Sequence, residues 1–312
     1  MDLEIPDCET PELRLDVNGN KLPEKNDKIA LVDADTLCFA ACKNKEEVTH
    51  LMGQSFYTDE EWKEIVASEG FNLVDMTLTV VNHEAVVRLV EERLQELLDN
   101  TGCKDYELHF TMGRKSFRYD IFEDYKANRT EDITKIPPVG LSKLKLALAY
   151  DYPEKVFIHR LYEADDTVIA KLVHDRDKYI LCAVDKDVLY SEPGTHFNYY
   201  VSHKYNIPMK FVDVDTVTAI QHKYMQTLTG DSSDGIPGIH RVGPKTAKKI
   251  LEDVTDDLEL WTRVVDKYES KGMSRADALL TMQLVNMHQV TWDGEKYTLK
   301  LWEEPKEFRE GE

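Results

Sequence analysis

Pairs and runs of carboxylates recur along this chain at positions where a metal ion could be held. Asp33 ends the apolar run KIALVD, EADD and DKD follow two further apolar runs, and GDSSD follows a helical pattern. In an open α/β sheet, functional sites form beyond the carboxyl ends of the strands. We therefore expect side chains that are far apart in sequence to converge on one crevice. The predicted set is Asp33, Glu163, Asp165, Asp166, Asp185, Asp187, Asp231 and Asp234.

Such a crevice needs counter-charge, because two carboxylates about 4 Å apart repel by about 4 kcal/mol at an effective dielectric near 20. Mg²⁺ suits it, since this ion prefers oxygen ligands and keeps several waters beside a few carboxylates. Two such ions about 4 Å apart would stabilise the attacking and the leaving oxygen of a phosphodiester displacement. The histidines and cysteines show no zinc spacing. The sequence therefore predicts a hydrolase with two Mg²⁺ ions, for which Mn²⁺ can substitute.

Each carboxylate motif also has a simpler interpretation. EADD at a helix start suits the helix dipole without any metal. DKD lies in a loop, and GDSSDG has an ordinary turn composition. Only the ordered set at the strand ends favours a metal site.

A glycine-rich turn followed by cations forms the second candidate site. In GIPGIHRVGPKTAKKIL, residues 235–251, Gly238 and Gly243 bracket a turn before a helix that starts near Pro244. Glycines let a backbone approach a phosphate closely, and the free N–H groups of a helix start can bind it. This pattern predicts a helix-hairpin-helix reader of the DNA backbone that makes no base contacts; a surface helix after a glycine turn is the alternative. Its predicted cations are Arg241, Lys245, Lys248 and Lys249.

The segment YKANR, preceded by Phe117-Arg118, is the third candidate site. Lys126 and Arg129 are three residues apart, so on a helix they would share a face and could hold the scissile phosphate. Tyr125 could stack on an unpaired base, and Arg118 is a further predicted DNA contact. A solvated helix start is the alternative interpretation of YKANR.

The elements that must position these side chains alternate between strand and helix. Apolar runs at 28–32, 106–111, 156–159 and 179–184 predict strands, and 83–98 and 164–174 predict helices. Asn82 is the expected N-cap of the first of these helices and Gly102 its end. A further helix is expected near Thr58, where Thr58 and Glu61 have capping-box spacing. This alternation predicts an α/β fold with a doubly wound, mostly parallel sheet.

Beyond residue 212 the pattern turns helical. Helices are expected at 215–228, 244–252, 257–269 and 274–288, and a last strand at 296–302 is expected to return to the main sheet. The predicted organisation is an acidic tail at 1–26, a nuclease domain at 27–212, a DNA-binding lobe at 213–302 and an acidic tail at 303–312.

Composition bounds the class of protein. The chain has 312 residues and is 42% apolar, which fits a soluble globular protein, and no apolar run approaches the roughly 20 residues of a membrane span. Five scattered cysteines fit a reducing cytoplasm. The net charge of −20 alone argues against a nucleic-acid partner, but residues 240–249 carry four cations and no acid. We therefore expect DNA as the partner, no membrane association and a monomer.

In their order, the motifs resemble the flap endonuclease and 5′→3′ exonuclease family, and in particular its bacteriophage members. They span about 215 residues: LVDAD at 31–35, FRYDIFEDYKANR at 117–129, EADD at 163–166, AVDKD at 183–187 and GDSSDGIPGIHRVGPKTA at 230–247. The resemblance implies a PIN-like nuclease core, a helical arch near 113–150 and a helix-three-turn-helix lobe. It also implies a Mg²⁺-dependent 5′→3′ exonuclease or flap endonuclease of DNA replication, acting in the host cytoplasm if viral.

The resemblance further assigns roles to the candidate residues. Asp33, Glu163, Asp165 and Asp166 would serve one metal ion, and Asp185, Asp187 and Asp234 the other, with Asp231 nearby. Lys126 and Arg129 would act on the scissile phosphate, and the turn at 238–243 would hold K⁺.

The sequence departs from the family at the end of the second strand. Relatives carry an aspartate there, whereas this chain reads Phe110-Thr111-Met112-Gly113. Met112 or Thr111 marks the vacant position, and Asp35 is the candidate substitute. Two alternatives therefore stay open: a structure-specific DNA-binding protein with weakened catalysis, and a PIN-type ribonuclease that also cuts RNA–DNA hybrids.

Overall fold

A computed structural model describes residues 21–44, 46–50, 77–113, 115–129, 137–201 and 207–310, together with Arg14, Glu61 and Glu64. Its centre is a six-stranded sheet. The strands are β1 (Asn26–Asp33), β4 (Cys103–Thr111), β5 (Val156–His159), β6 (Tyr179–Ala183), β7 (Gly194–Asn198) and β8 (Lys210–Val214). Their order is β5-β4-β1-β6-β7-β8, and among the neighbouring pairs only β7–β8 is antiparallel. The predicted mostly parallel α/β sheet is confirmed.

Helices cover both faces of this sheet. They are α1 (Asp35–Lys43), α2 (His83–Thr101), α3 (Phe117–Ile121), α4 (Leu141–Asp151), α5 (Ala164–His174) and α6 (Lys186–Leu189). In β1, Ala30 and Val32 pack in the core formed with α1, α2 and α4, whereas Leu31 packs on the opposite face with α5. Successive side chains of a strand point to opposite faces, so the apolar run IALV supplies both cores. The sheet is therefore doubly wound.

Local sequence signals set the bounds of α2 as expected. The side chain of Asn82 accepts a hydrogen bond from Ala85 N, 3.1 Å away, and so caps the helix start. Gly102 ends the helix in the left-handed conformation, with φ 71°. A side chain there would meet the backbone oxygen of Glu24, so glycine is required by both conformation and space.

Helices of the C-terminal part share a second core. They are α7 (Thr216–Thr229), α8 (Pro244–Ile250), α9 (Asp257–Glu269) and α10 (Arg275–Val285). Tyr224, Trp261 and Met282 are completely buried in this core. The four expected helices are therefore present, the second and fourth ending earlier than predicted. None of the helices in the described ranges is long and apolar enough to cross a membrane.

Two expectations about the chain ends are corrected. The last strand, β10 (Tyr297–Leu299), does not join the main sheet but pairs antiparallel with β9 (Val290–Trp292). Residues 303–310 are not a wholly solvated tail, because buried Glu304 accepts hydrogen bonds from Trp261 and Arg275 before helix α11 (Lys306–Glu310).

Within the described ranges, the remaining elements are a short antiparallel pair and two 3₁₀ turns. The pair is β2 (Glu46–His50) with β3 (Thr77–Val81), and the 3₁₀ turns are Ala127–Arg129 and Met287–Gln289. The helix expected near Thr58 falls outside the described residues, Glu61 and Glu64 apart, as does residue range 1–20 except Arg14.

Candidate active site

One crevice beyond the carboxyl ends of the parallel strands brings several of the predicted acids together. Its lining includes Asp165, Asp185, Asp187, Asp231 and Asp234. Asp33, the last residue of β1, lies within electrostatic reach of Asp185, and Glu163 shares the contacts of Tyr125 and Lys126 with Asp234. Strand ends and the loop after α7 therefore place these side chains as the spacing predicted.

The EADD motif forms the start of α5. Glu163 is the N-cap, and Asp166 accepts a hydrogen bond from Glu163 N at 3.2 Å, which completes a capping box. Asp166 is fully buried and binds Arg118 through two hydrogen bonds of 2.6 and 2.7 Å. Asp166 is thus held by the protein itself, on the side of the helix start that faces Arg118.

Arg118 differs from its prediction as a DNA contact. Its side chain is only 1% exposed, and its Nε donates to the backbone oxygen of Leu284 at 2.8 Å. Because Leu284 belongs to α10, Arg118 connects the start of α5 with the C-terminal helices. The sequence could not reveal this burial, since an arginine in a basic stretch is usually exposed.

Tyr125 also differs from its predicted role in base stacking. It is 2% exposed, and its hydroxyl donates to Glu163 Oε2 at 2.9 Å and lies 3.2 Å from Asp234 Oδ2. Burial and the neighbouring Glu163 raise the pKa of Tyr125 well above its ordinary value. Tyr125 is therefore a neutral donor that joins two carboxylates, and its ring is not available to a base.

Lys126 and Arg129 reach the crevice without sharing a helix face. Lys126 has a left-handed φ of 56°, and the 3₁₀ turn Ala127–Arg129 starts after it. Lys126 Nζ lies 2.8 and 2.9 Å from the two carboxylate oxygens of Glu163 and 3.6 Å from Asp234. Arg129 pairs with Asp234. The shared face that a helix would have given them is therefore absent, but both cations lie at the predicted acids.

The charges of this cluster stabilise one another. Burial alone would raise the pKa of Glu163, but Lys126 and Arg118 outweigh it and lower that pKa to about 2. Burial likewise disfavours the ammonium of Lys126, yet Glu163 and Asp234 raise its pKa. Glu163 is thus ionised and neutralised by protein cations.

At three other carboxylates, burial and acidic neighbours outweigh any such compensation. Burial, Asp166 and Glu163 raise the pKa of Asp165 well above its ordinary value. Desolvation in the crevice, Asp187 and Asp231 raise the pKa of Asp185. Burial raises the pKa of Asp33 to about 7, with Asp35 and Asp185 adding to the effect. Burial, reinforced by repulsion from neighbouring acids, is at these three positions the electrostatic signature of a site that needs a cation.

The loop DSSDG rests against the segment that carries Lys126. Lys126 N donates to Asp234 O at 2.8 Å, and Asn128 Nδ2 donates to Ser232 O at 2.8 Å. Asp231 is held inside the loop, where it accepts from Ser233 N and Oγ at 2.8 and 2.7 Å. The two motifs recognised separately in the sequence therefore form one structural unit.

The predicted hairpin presents its cations to solvent. Arg241, Lys245, Lys248 and Lys249 are all exposed. Gly243 caps α8 and has open space where a side chain would stand, as a phosphate contact requires. Gly238 has another role, because a side chain there would lie 2.2 Å from the backbone oxygen of Thr229. Its small size serves backbone packing.

The end of β4 decides whether Thr111 or Met112 faces the candidate site. Thr111 Oγ1 accepts a hydrogen bond from Ala164 N at 2.9 Å, so its side chain lies beside the EADD motif. Of the two predicted residues, Thr111 therefore faces the candidate site. The sequence did not distinguish Thr111 from Met112. Lys145 was not among the predicted residues, and it is a buried cation whose ammonium contacts the backbone oxygen of Thr111.

The donor set suits a divalent cation in its chemistry. Carboxylate oxygens are hard ligands, and the buried Oδ1 of Asp33 has no hydrogen-bond partner within the described part of the chain. In that same part, no group of three or more His, Cys, Asp or Glu side chains is already arranged to hold a metal ion. Glu163, Asp166 and Asp234 are occupied by Lys126, Arg118 and Arg129 instead.

Known proteins share both sequence and fold with this chain, although no family model matches it. The DNA polymerase I of Rhizobium leguminosarum is 30% identical over 181 residues, which cover 55% of this chain and 17% of that protein. The 5′-3′ exonuclease of Bacillus subtilis is 29% identical over 164 residues, which cover 46% of this chain and half of that protein. The matched regions are thus only parts of these relatives.

Among solved structures, the bacteriophage T5 flap endonuclease in complex with DNA and metal ions is similar. Its identity is 17% and its TM-score 0.54, with 84% of this chain and 89% of that chain covered. This chain has the flap endonuclease fold. The T5 5′-exonuclease with bound zinc ions gives a TM-score of 0.53 at the same identity, with 84% and 90% covered. The expected resemblance to the 5′-3′ exonucleases and flap endonucleases is confirmed in sequence and in fold.

Proposed function

We propose that this protein is a divalent-cation-dependent nuclease that hydrolyses a phosphodiester near a DNA 5′ end or branch. The observation that carries the proposal is the crevice in which five aspartates lie beside Lys126 and Arg129. The exonuclease and flap endonuclease relatives support the same reaction class. We further propose Mg²⁺ as the ion, with Mn²⁺ as a substitute.

Within this proposal, the metal ions would be held by crevice carboxylates. Within the described ranges, Asp33, Asp165, Asp185, Asp187 and Asp231 form no ion pair with a lysine or arginine, whereas Glu163, Asp166 and Asp234 are paired with such cations. Bound ions would supply positive charge to the attacking and leaving oxygens of the phosphodiester. Asp166, buried against Arg118, would act through the orientation of the α5 start.

Lys126 and Arg129 would contribute to the reaction through the scissile phosphate. Both cations face the crevice, and Arg129 is partly exposed. A phosphate oxygen offers them an anionic partner like the carboxylates that they hold now. Because a charge that develops in the transition state is stabilised most by a preorganised cation, Lys126 would affect the rate more than the affinity.

DNA would be anchored away from the crevice by the hairpin cations. Arg241, Lys245, Lys248 and Lys249 are exposed around Gly243, and such contacts with phosphates fix the register of the duplex without reading its sequence. We also propose K⁺ as an ion of the 238–243 turn, a monomeric state, and a reducing cytoplasmic setting for the buried thiols Cys38, Cys42, Cys103 and Cys182.

The test is digestion of 5′- and 3′-labelled duplex, nicked and flap substrates with Mg²⁺, and with EDTA as the control. We expect short 5′-labelled products that require Mg²⁺. An RNA–DNA hybrid in the same series tests the ribonuclease alternative. Products that appear equally in EDTA would contradict the proposal.

The second candidate function is structure-specific DNA binding with weakened catalysis. Its support is Thr111, which stands beside the EADD motif where relatives carry a carboxylate. Tight binding of flap DNA without Mg²⁺-dependent cleavage at any concentration would favour this function over the nuclease.

A further inference from the structure

An ion pair between buried Lys145 and half-buried Asp35 lies beside the candidate active site. Asp35 begins α1 two residues after Asp33, and Lys145 lies in the middle of α4. Lys145 Nζ is 2.5 Å from Asp35 Oδ1 and donates to the backbone oxygen of Thr111 at 2.9 Å. The pair therefore connects α1, α4 and the end of β4, beside the position where the family resemblance implies an aspartate ligand.

Lys145 is held inside the protein. It is 7% exposed, between the core residues Leu144 and Leu148 in sequence, and its ammonium lies 5.6 Å from the ring centre of Phe110. An ammonium in such a place is retained only with a charged partner, because burying it alone costs several kcal/mol. The positive charge of Lys145 is thus fixed in position at the end of β4.

Asp35 is fully engaged by these neighbours. Both of its carboxylate oxygens lie 3.2 Å from Thr111 N, and one of them also accepts from Lys145. Asp35 is therefore committed to the strand end and to Lys145. These contacts argue against Asp35 as the substitute metal ligand, since binding a metal ion would require it to exchange one cation for another.

The same pair acts on Asp33. Asp33 is 8% exposed, and its Oδ1 has no hydrogen-bond partner among the described residues. Asp33 pairs with His109 across β1 and β4, and Asp35 and Thr111 each lie two residues beyond that pair, where they contact each other and Lys145. Lys145 and Asp35 therefore place a cation and a carboxylate at the strand ends next to a ligand candidate.

We propose that Lys145 determines how tightly the Asp33 side of the crevice holds a divalent cation. The inference rests on the proposed metal-dependent function. A divalent ion and the Lys145 ammonium compete for the same negative charge, because Asp35 is neutralised by Lys145 and Asp33 lies in the field of both. Lys145 is a positioning residue that acts through Asp35, and it lowers the affinity for the ion where a ligand is already missing.

The experiment measures Mn²⁺ binding to the full chain without DNA, by the electron paramagnetic resonance signal of free Mn²⁺. Lys145→Met should lower the Mn²⁺ Kd about tenfold, because the competing charge is gone. Lys145→Arg keeps the charge and should stay within about twofold of the unmodified protein. Asp35→Asn leaves Lys145 uncompensated and should raise the Kd about tenfold.

The matched control is an ion pair that involves the other end of β4. Lys155 Nζ lies 2.5 Å from Asp105 Oδ1, and both side chains are 39% exposed. Lys155→Met removes the same charge from the protein and should leave the Kd unchanged. The double variant Lys145→Met/Asp35→Asn should return close to the unmodified Kd, because the two effects oppose each other.

Two results would overturn the inference. An unchanged or higher Kd for Lys145→Met shows that its charge does not compete with the ion. If that variant fails to fold, an unchanged or lower Kd for Asp35→Asn overturns the inference on its own. If the unmodified chain binds Mn²⁺ and neither substitution changes the Kd, only this inference is refuted. If the unmodified chain binds no Mn²⁺, the proposed function is refuted as well.

Discussion

Two sets of carboxylates in the crevice differ in how their charge is balanced. The paired set, Glu163, Asp166 and Asp234, is held by Lys126, Arg118 and Arg129. The open set, Asp33, Asp165 and Asp185, has raised pKa values because burial and acidic neighbours dominate there. Asp165 and Asp166 are adjacent in the same helix turn, so position in sequence does not separate the sets.

The difference separates stability from function. A buried carboxylate with a bidentate arginine is part of the folded framework, and breaking such a pair is costly. A buried carboxylate among other acids destabilises the protein unless a cation arrives, and such sites are retained for function. Each metal site implied by the family resemblance combines members of both sets. The framework thus holds the open oxygens in place.

The largest effect is expected from the open set. Asp165→Asn should lower single-turnover cleavage by more than about 10³-fold, because one of the crevice oxygens for the metal ions is lost. The same substitution should raise the melting temperature in EDTA, since it removes an uncompensated charge. Cleavage is measured with labelled flap DNA and stability by thermal unfolding. A loss of stability in EDTA would place Asp165 in the paired set.

The paired set should respond in the opposite sense. Arg118→Met leaves Asp166 buried without its partner and should lower the free energy of unfolding by about 3–5 kcal/mol. Urea unfolding measures it. Arg93 pairs with Glu96, and the two side chains are 34% and 43% exposed, so Arg93→Met serves as the control and should cost about 1 kcal/mol or less. Equal losses for both variants would remove the distinction between buried and exposed pairs.

The raised pKa of Asp33 makes the stability of the folded protein depend on pH. Its pKa rises from 3.8 to about 7 on folding, so the folded protein binds this proton more tightly than the unfolded chain. Its contribution to stability is therefore present below pH about 4 and is lost as the pH rises through about 7. Without metal, the fall should be on the order of a few kcal/mol.

Thermal unfolding from pH 4 to pH 8 in EDTA measures this fall. Asp33→Asn should flatten the profile, and Mg²⁺ should do the same in the unmodified protein because it stabilises the ionised carboxylate. A profile that is identical with and without the Asp33 carboxyl would show that Asp33 belongs with the compensated groups.

Lys126 tests whether a cation of the paired set also serves the reaction. Lys126→Ala should slow single-turnover cleavage about 10²-fold, as for loss of one preorganised charge at a transition state, while flap DNA affinity falls much less. Kd from fluorescence anisotropy and rates from rapid quench separate the two. Parallel losses in rate and affinity would make Lys126 an anchoring contact only.

The sequence predicted the parts of this molecule that depend on local pattern. Strands end at Asp33 and before Asp185 because apolar runs end there, and Asn82 and Gly102 bound α2 as expected. Acids that follow the strand ends and the helix at 215–228 predicted the set that meets in the crevice, and the resemblance assigned roles to its members. Both kinds of signal lie within a few residues of the feature that they predict.

The partners of those acids could not be predicted in the same way. Arg118, Tyr125 and Lys145 all look like surface residues by type, yet each is buried against an acid from a distant segment. Lys145 lies in the run LKLALAY, where a lysine on the apolar face was the available signal. Long-range pairing decides burial there, and residue type alone carries no information about it.

The smallest effect concerns the hairpin, which lies outside both carboxylate sets and should change affinity alone. Each phosphate contact that is lost should reduce the slope of log affinity against log salt by about 0.9. Lys245, Lys248 and Lys249 are exposed on α8, so replacing all three by alanine should flatten the slope by about 2.7 if each contacts a phosphate. The affinity for all DNA sequences should fall alike, because backbone contacts carry no sequence information.

The matched triple control replaces Lys271, Lys296 and Lys300, which are exposed lysines elsewhere in the C-terminal part. Anisotropy titrations between about 50 and 200 mM salt measure the slopes, and single-turnover rates at saturating enzyme should stay unchanged because the crevice is intact. A slope equal to that of the control triple would remove the hairpin from the DNA interface and leave binding to the crevice cations.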